Sequence, residues 1–215
     1  MGRLLGLVLL LLVLGLAGGY AYGELSMDEP RTARDASPVP AEPSVPMPST
    51  PAVLPDPDVP PLAVNLPTKR TRLSTGRNGY VLRLDQPLGW SRTQLSSDDT
   101  WSWVVPTNPT NTYRLRVAII ADNHQSVSVT KDARISAFEE AVADGNLSDF
   151  TVESQTVDTF IATYIADGYR RVTIERMVAF DGGSAYAVAA VTGREVDREG
   201  LTDLVQRTAE SMEPG

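Results

Sequence analysis

Twelve of the 16 prolines in this chain of 215 residues lie between Pro30 and Pro67, and that clustering restricts where a fold can form more than any other feature. Proline has no amide hydrogen to give to a sheet ladder and clashes inside a helix, so a segment that meets one every few residues builds no regular structure. The segment has no glycine between Glu24 and Thr75, no apolar period, and short repeats such as Pro38-Val39-Pro40 and Pro55-Asp56-Pro57. Residues 24–76 therefore read as a proline-rich, disordered, solvated linker. About 50 such residues reach roughly 40 Å as a coil and about 150 Å as polyproline II. The functional alternative to a plain spacer is a ligand for a proline-reading partner domain. Lys69, Arg70 and Arg72 close the linker with a basic cluster that reads as a solvated charge run, the alternative being contact with anionic lipid or envelope polymer.

Ahead of the linker, Leu4 to Gly23 is a run of 20 uncharged residues, with nine leucines between Leu4 and Leu16. At 1.5 Å per helical residue it matches a hydrocarbon core of about 30 Å. Arg3 precedes it and Glu24, Asp28 and Glu29 follow, while Tyr20 and Tyr22 stand where interfacial aromatics anchor a span. Residues 1–23 are thus expected to be a single-pass signal-anchor, amino terminus cytoplasmic and the rest extracytoplasmic. The competing reading is a signal peptide cleaved near Ala21-Tyr22-Gly23, which would leave the chain secreted. Either way the remainder is exported. The chain has no cysteine, which excludes a lipidated anchor, disulfides, thiolate metal sites and a cysteine nucleophile.

The remaining residues, 77–215, carry 13 basic and 20 acidic side chains, nearly all of the chain's formal charge of −8. An acidic balance argues against nucleic acid as a partner, since that binding rests on neutralising phosphates. One histidine leaves no histidine-rich metal centre, and no cofactor motif is present. The length supports one core. Strand patterns cover 80–84, 100–105, 113–122, 151–157, 159–166, 169–180 and 184–192, and the turn signals Asp167-Gly168 and Asp181-Gly182-Gly183 predict an antiparallel meander of the last three. One helix is expected over 131–144 with Thr130 as N-cap and Gly145 ending it. A second is expected over 198–212 behind Asp197, with Leu201, Leu204, Val205, Thr208 and Met212 as its buried stripe.

Few residues suggest catalysis. His124, the single histidine, could form a triad only with an acid such as Asp122 and a serine such as Ser126 or Ser184, but no nucleophile-elbow pattern surrounds either serine, and it reads as a surface loop. Glu139-Glu140 and Asp98-Asp99 are adjacent pairs, which do not face each other across a sugar as glycosidase carboxylates do. Asp181-Gly182-Gly183-Ser184 lacks the lysine and following helix of a phosphate loop. Arg170 and Arg171 read as exposed beside a turn. The most suggestive constellation is Trp90, Trp101 and Trp103 with Arg114 and Arg116. Trp101 and Trp103 share one strand face, and indoles with guanidinium groups suit a sugar or an amphiphile's polar head. The plainer reading is that the tryptophans fill the core.

The stretch from Gly79 to Trp90, an opening strand running into Pro87-Leu88-Gly89-Trp90, resembles the start of the PsbP/Mog-type fold, especially the actinobacterial LpqN-like cell-envelope proteins. Gly168-Tyr169-Arg170-Arg171, the hairpin through Asp181-Gly182-Gly183 to Tyr186 and the closing helix from Arg198 resemble its second half, and together the likeness covers about 77–213. The resemblance implies an α+β fold, an α/β/α sandwich with a central antiparallel sheet flanked by helices, and a non-enzymatic accessory or binding role. One membrane-anchored relative class, the trehalose monomycolate transport factor, is similar in layout and assists export of envelope lipid. No functional residue carries over. The expected function is an exported, membrane-tethered, non-enzymatic binding or scaffolding domain serving an envelope protein complex or envelope glycolipid transport. The alternatives are a hydrolase of envelope polymer and a passive spacer.

Overall fold

The computed structural model describes residues 53–76, 79–95, 99–109, 112–181 and 183–215. The expected anchor, residues 1–23, and the linker up to residue 52 lie outside the described residues. Among the described residues no helix is long and apolar enough to cross a membrane. In chain order the elements are β1 (Thr68–Ser74), β2 (Val81–Pro87), β3 (Ser91–Gln94), β4 (Thr100–Val104), β5 (Arg114–Ile119), α1 (Val127–Ala143), β6 (Ser148–Gln155), β7 (Thr159–Ala166), β8 (Tyr169–Ala179), β9 (Ala185–Gly193), α2 (Arg198–Glu210) and β10 (Glu213–Pro214). The strands form two sheets, one of seven in the order β3-β4-β5-β9-β8-β7-β6 and one of three in the order β1-β2-β10.

This corrects the expected α/β/α sandwich. The fold is mostly β, with two sheets and two α-helices among the described residues: each face of the large sheet meets a single helix and not a helical layer, and the small sheet shares the side of α2. The physical cause is the segment read as linker. After Pro67 the prolines stop, every amide from Thr68 to Ser74 can donate, and the strand so freed pairs with β2 from Thr68 opposite Pro87 to Ser74 opposite Val81. The partner it supplies places β2 in a sheet of its own. Residues 53–67 are fastened as well: the Leu54 amide donates to the Gly168 carbonyl at 2.8 Å and the Leu62 amide to Asp197 at 2.9 Å. The folded part thus begins well upstream of residue 77. Of its basic cluster, Arg70 pairs with Asp85 at 3.3 Å and Glu213 at 2.5 Å, while Lys69 and Arg72 are exposed on β1.

The meander β7-β8-β9 is as the turn chemistry predicts. Asp167 at φ 52° and Gly168 at φ 81° make the two-residue loop between β7 and β8, the pair of left-handed residues that a type I′ turn requires. Strand alternation then divides the large sheet's side chains between two faces. Leu115 and Val117 of β5, Ala189 and Val191 of β9, and Val172 and Ile174 of β8 turn to one side. There they pack with Leu201, Leu204, Val205 and Met212 at α2 and with Leu73, Leu82 and Leu84 of the small sheet. The opposite face carries the smaller cluster of Phe160, Ala162, Met177 and Val188 under Ile135 and Phe138 of α1.

Helix α1 begins earlier than its periodicity suggests. Ser126, and not Thr130, is the N-cap, its hydroxyl accepting from the Val129 amide at 3.3 Å. It ends in a Schellman arrangement at Gly145, φ 75°, with the Gly145 amide on the Val142 carbonyl and the Asn146 amide on that of Ala141. Helix α2 buries its predicted stripe. The carboxylate of Asp197 makes no cap bond to α2, because Arg194 and the Leu62 amide engage it.

Candidate functional site

Of the 17 residues of α1 only Thr130 and Lys131 are buried, and its apolar side chains Ile135 and Phe138 are half-buried. The helix covers its face of the sheet incompletely, because the strand positions below it are small: Ala166, Ala190 and Thr192. The gap between them is a cleft of about 500 Å³. That lies within the usual range of small-molecule sites, roughly 300–1,000 Å³.

Glu175 of β8 lies at the centre of the cleft wall and is fully buried. Arg134 of α1 donates to it from Nε at 2.8 Å and Nη2 at 2.9 Å, a two-pronged contact, and Arg116 of β5 adds Nη2 at 3.2 Å. The sheet register explains how residues two strands apart meet. Arg116 is opposite Ala190 on β9, and Ala190 is opposite Glu175 on β8. With only a methyl group on the strand between them, the guanidinium reaches across to the carboxylate. Burial lowers the pKa of Arg116, opposed by the Glu175 charge, while the hydrogen bonds to Glu175 raise that of Arg134. Both remain cations, since arginine does not lose its proton in proteins. Glu175 thus faces two guanidinium groups and is committed to them.

Arg114, two residues before Arg116 and on the same side of β5, is exposed and makes no ion pair among the described residues. Arg171 lies along the same face of β8 with its guanidinium 4.9 Å from the Tyr169 ring centroid and 2.7 Å from Asp56. Four arginines and two carboxylates, Glu175 and Asp167, line the cleft, and with Asp56 on Arg171 the surplus is one positive charge in a chain of net charge −8. Across from β5 the wall is apolar and aromatic. Phe138 stacks on Phe150 at 5.2 Å and tilts against Tyr164 at 5.5 Å, with Ala141 and Leu147 beyond. Burial pushes the Tyr164 phenol above its usual value of 10, so it is a neutral donor near pH 7.

The tryptophan and arginine constellation is divided by the sheet. Trp101 is opposite Val117 and Trp103 opposite Leu115, so both indoles join the larger core, where Trp103 Nε1 donates to Gln86 at 3.0 Å. Arg114 and Arg116, at the alternate positions of β5, point into the cleft on the other face. Trp90 reaches the cleft only through Tyr113, on which it stacks at 5.6 Å. Arg171, expected to be exposed, is buried with a relative exposure of 5%. His124 is exposed after a short 3₁₀ turn and holds a left-handed φ of 51°. Glu139 and Glu140 are exposed on α1.

Missed from the sequence were Arg134, Phe138, Tyr164 and Glu175 as site residues. The available signal was Glu175 itself: in the run from Val172 to Met177 it is followed by Arg176, strand alternation sends the two charges to opposite faces, and an acid on the inner face demands its own buried cation. Among the described residues no three His, Asp or Glu side chains are placed to hold a metal ion. Comparison with protein-family models returns no match, and no curated protein matches the chain.

Proposed function

We propose that this chain is an exported, membrane-tethered, non-enzymatic binding domain of the cell envelope, and that the cleft beneath α1 is its binding site. The observation that carries the reading is the surplus of arginines around a carboxylate already saturated by two of them. Such a site attracts and orients a ligand. Its central carboxylate, holding two guanidinium groups, is poorly suited to act as a general base. The uncharged run from Leu4 to Gly23 supports the tether, and the likeness of Gly79 to Trp90 to LpqN-like envelope proteins supports the setting.

A photoreactive amino acid at Ala137, on the rim of the cleft, tests this in intact cells against the same group at Thr202 on α2. The expected result is a discrete adduct formed from Ala137 alone and lost when Arg114 and Arg116 are both glutamine. Identical labelling from the two positions would refute the site. Carbonate extraction tests the tether: release of the full chain into the soluble fraction would exclude a membrane span.

A further inference from the structure

Resting on the reading of the cleft as a binding site, we propose that its ligand is an amphiphile, one phosphate or carboxylate head joined to an apolar tail. The two walls of the cleft differ in chemistry and face each other across the strands. On the β5 side stand Arg114 and Arg116, with Arg134 leaning from α1 onto Glu175. On the β7 side stand Phe138, Ala141, Leu147 and Tyr164. Strand β5, which carries Arg114 and Arg116, and β7, which carries Tyr164, lie three strand spacings apart, about 14 Å at about 4.8 Å each, while Arg134 and Phe138 stand one turn apart on α1. A bare anion would fill only the first wall, and an uncharged tail only the second.

The charge balance selects the sign and size of the head. Arg116 and Arg134 share Glu175, leaving one positive charge, and Arg114 adds another without a partner among the described residues, against Asp167 as the remaining lining carboxylate. A single negative charge on a compact head completes that balance, and guanidinium groups hold phosphate and carboxylate oxygens through paired hydrogen bonds. Arg171 is already held by Asp56 and is not needed for the head. The apolar wall accepts a tail because Phe138, Ala141 and Leu147 are only half-buried, a state that costs free energy until something displaces the water.

The absence of native cysteine permits a direct test with the full chain in phosphatidylcholine nanodiscs. A bimane dye on a single cysteine introduced at Ala137 reports on the cleft, and the same dye at Thr202 reports partitioning of the probe elsewhere. Octyl phosphate is expected to give a saturable signal at position 137 only. Octyl glucoside and inorganic phosphate, at equal concentration, are expected to bind at least tenfold more weakly. Arg114→Gln, at an exposed position with no ion pair among the described residues, is expected to weaken octyl phosphate roughly tenfold, the loss of one charge-assisted contact. Ala141→Trp is expected to abolish binding by filling the tail wall.

Equal binding of octyl glucoside would overturn the anionic head while leaving the cleft as a site. Equal binding of inorganic phosphate would overturn the tail. No saturable signal from any of the three would overturn both this inference and the reading on which it rests.

Discussion

Arg194 offers the sharpest test of how the fold is held. It follows β9, is 1% exposed, and joins two partners that the sequence separates widely. On one side its Nε and Nη2 donate to the two oxygens of Asp197, each at 2.8 Å. On the other, Nη1 donates to the carbonyls of Pro57 and Val59 at 2.9 Å and Nη2 to that of Pro60 at 3.1 Å. Arg194→Met keeps most of the apolar stem but leaves Asp197, wholly buried, with only the amides of Arg194 and Leu62.

Removing one member of a buried ion pair costs about 3–5 kcal/mol. The freed carbonyls add little, because Pro60 is exposed and Pro57 and Val59 are half-exposed, so water can replace the guanidinium. A loss of about 4 kcal/mol is a large part of a total stability of about 5–15 kcal/mol. For a domain of this size each kcal/mol moves Tm by about 2–4 °C, so a fall of roughly 8–16 °C is expected in circular dichroism melts. Adding Asp197→Asn to Arg194→Met removes the stranded charge, so the double variant is expected to lose at least 1 kcal/mol less than the sum of the two single losses. A fall under about 3 °C, or strict additivity, would refute the latch.

Glu175→Gln leaves Arg116 and Arg134 without their shared counter-charge. Both side chains are about one-third exposed, 39% and 33%, so screening reduces the expected loss to about 2–3 kcal/mol, read from urea unfolding. Gly200→Ala gains about 1 kcal/mol of helix propensity, yet its Cβ would overlap the Leu62 carbonyl. The net result is expected to be destabilising by about 1–2 kcal/mol, with faster hydrogen exchange at the Leu62 amide; unchanged exchange would show that the strap is not seated there. In pH titration, hydrogen bonds from Arg198 lower Glu195. For Asp158 burial pushes upward, but Thr156, Thr159 and Arg176 prevail and lower it. Depressed carboxylates stabilise above their unfolded values of 4.5 and 3.8 and lose that contribution as pH falls through the folded ones. Burial raises Tyr164 and Tyr186, whose contribution is complete below pH 10 and is lost above it. The urea midpoint is therefore expected to fall on both sides of a neutral plateau, and a rise on either side would contradict these environments.

Particular residues show how far the sequence could be read. Asp167-Gly168 encoded its hairpin because left-handed φ at two successive residues is a local requirement, met by local chemistry. The stripe from Leu201 to Met212 encoded the buried face of α2 for the same reason: its period is a property of the helix alone. Trp101 and Trp103 were rightly placed on one face, but which side of the sheet that face meets depends on β5 and β9, and those strands set them against the core. Helix α1 was legible as a helix, whereas the cleft beneath it follows from the small size of Ala190 and Ala166, residues with no signal of their own.

The sequence by itself determined the uncharged amino-terminal run, the proline-rich stretch, the absence of cysteine chemistry, the meander and the two helices, since each rests on composition or on neighbours within a turn or two. The tertiary structure decided three other things. It turned Thr68–Ser74 from presumed linker into a strand, because β2 offered a partner for its amides. It locked residues 57–62 through Arg194 and Asp197. It gathered Arg116, Arg134 and Glu175 from three elements around one cleft. The physical reason is common to all three: a backbone amide, a buried charge and a small side chain have no fixed consequence until a distant segment supplies the acceptor, the counter-charge or the wall that faces them.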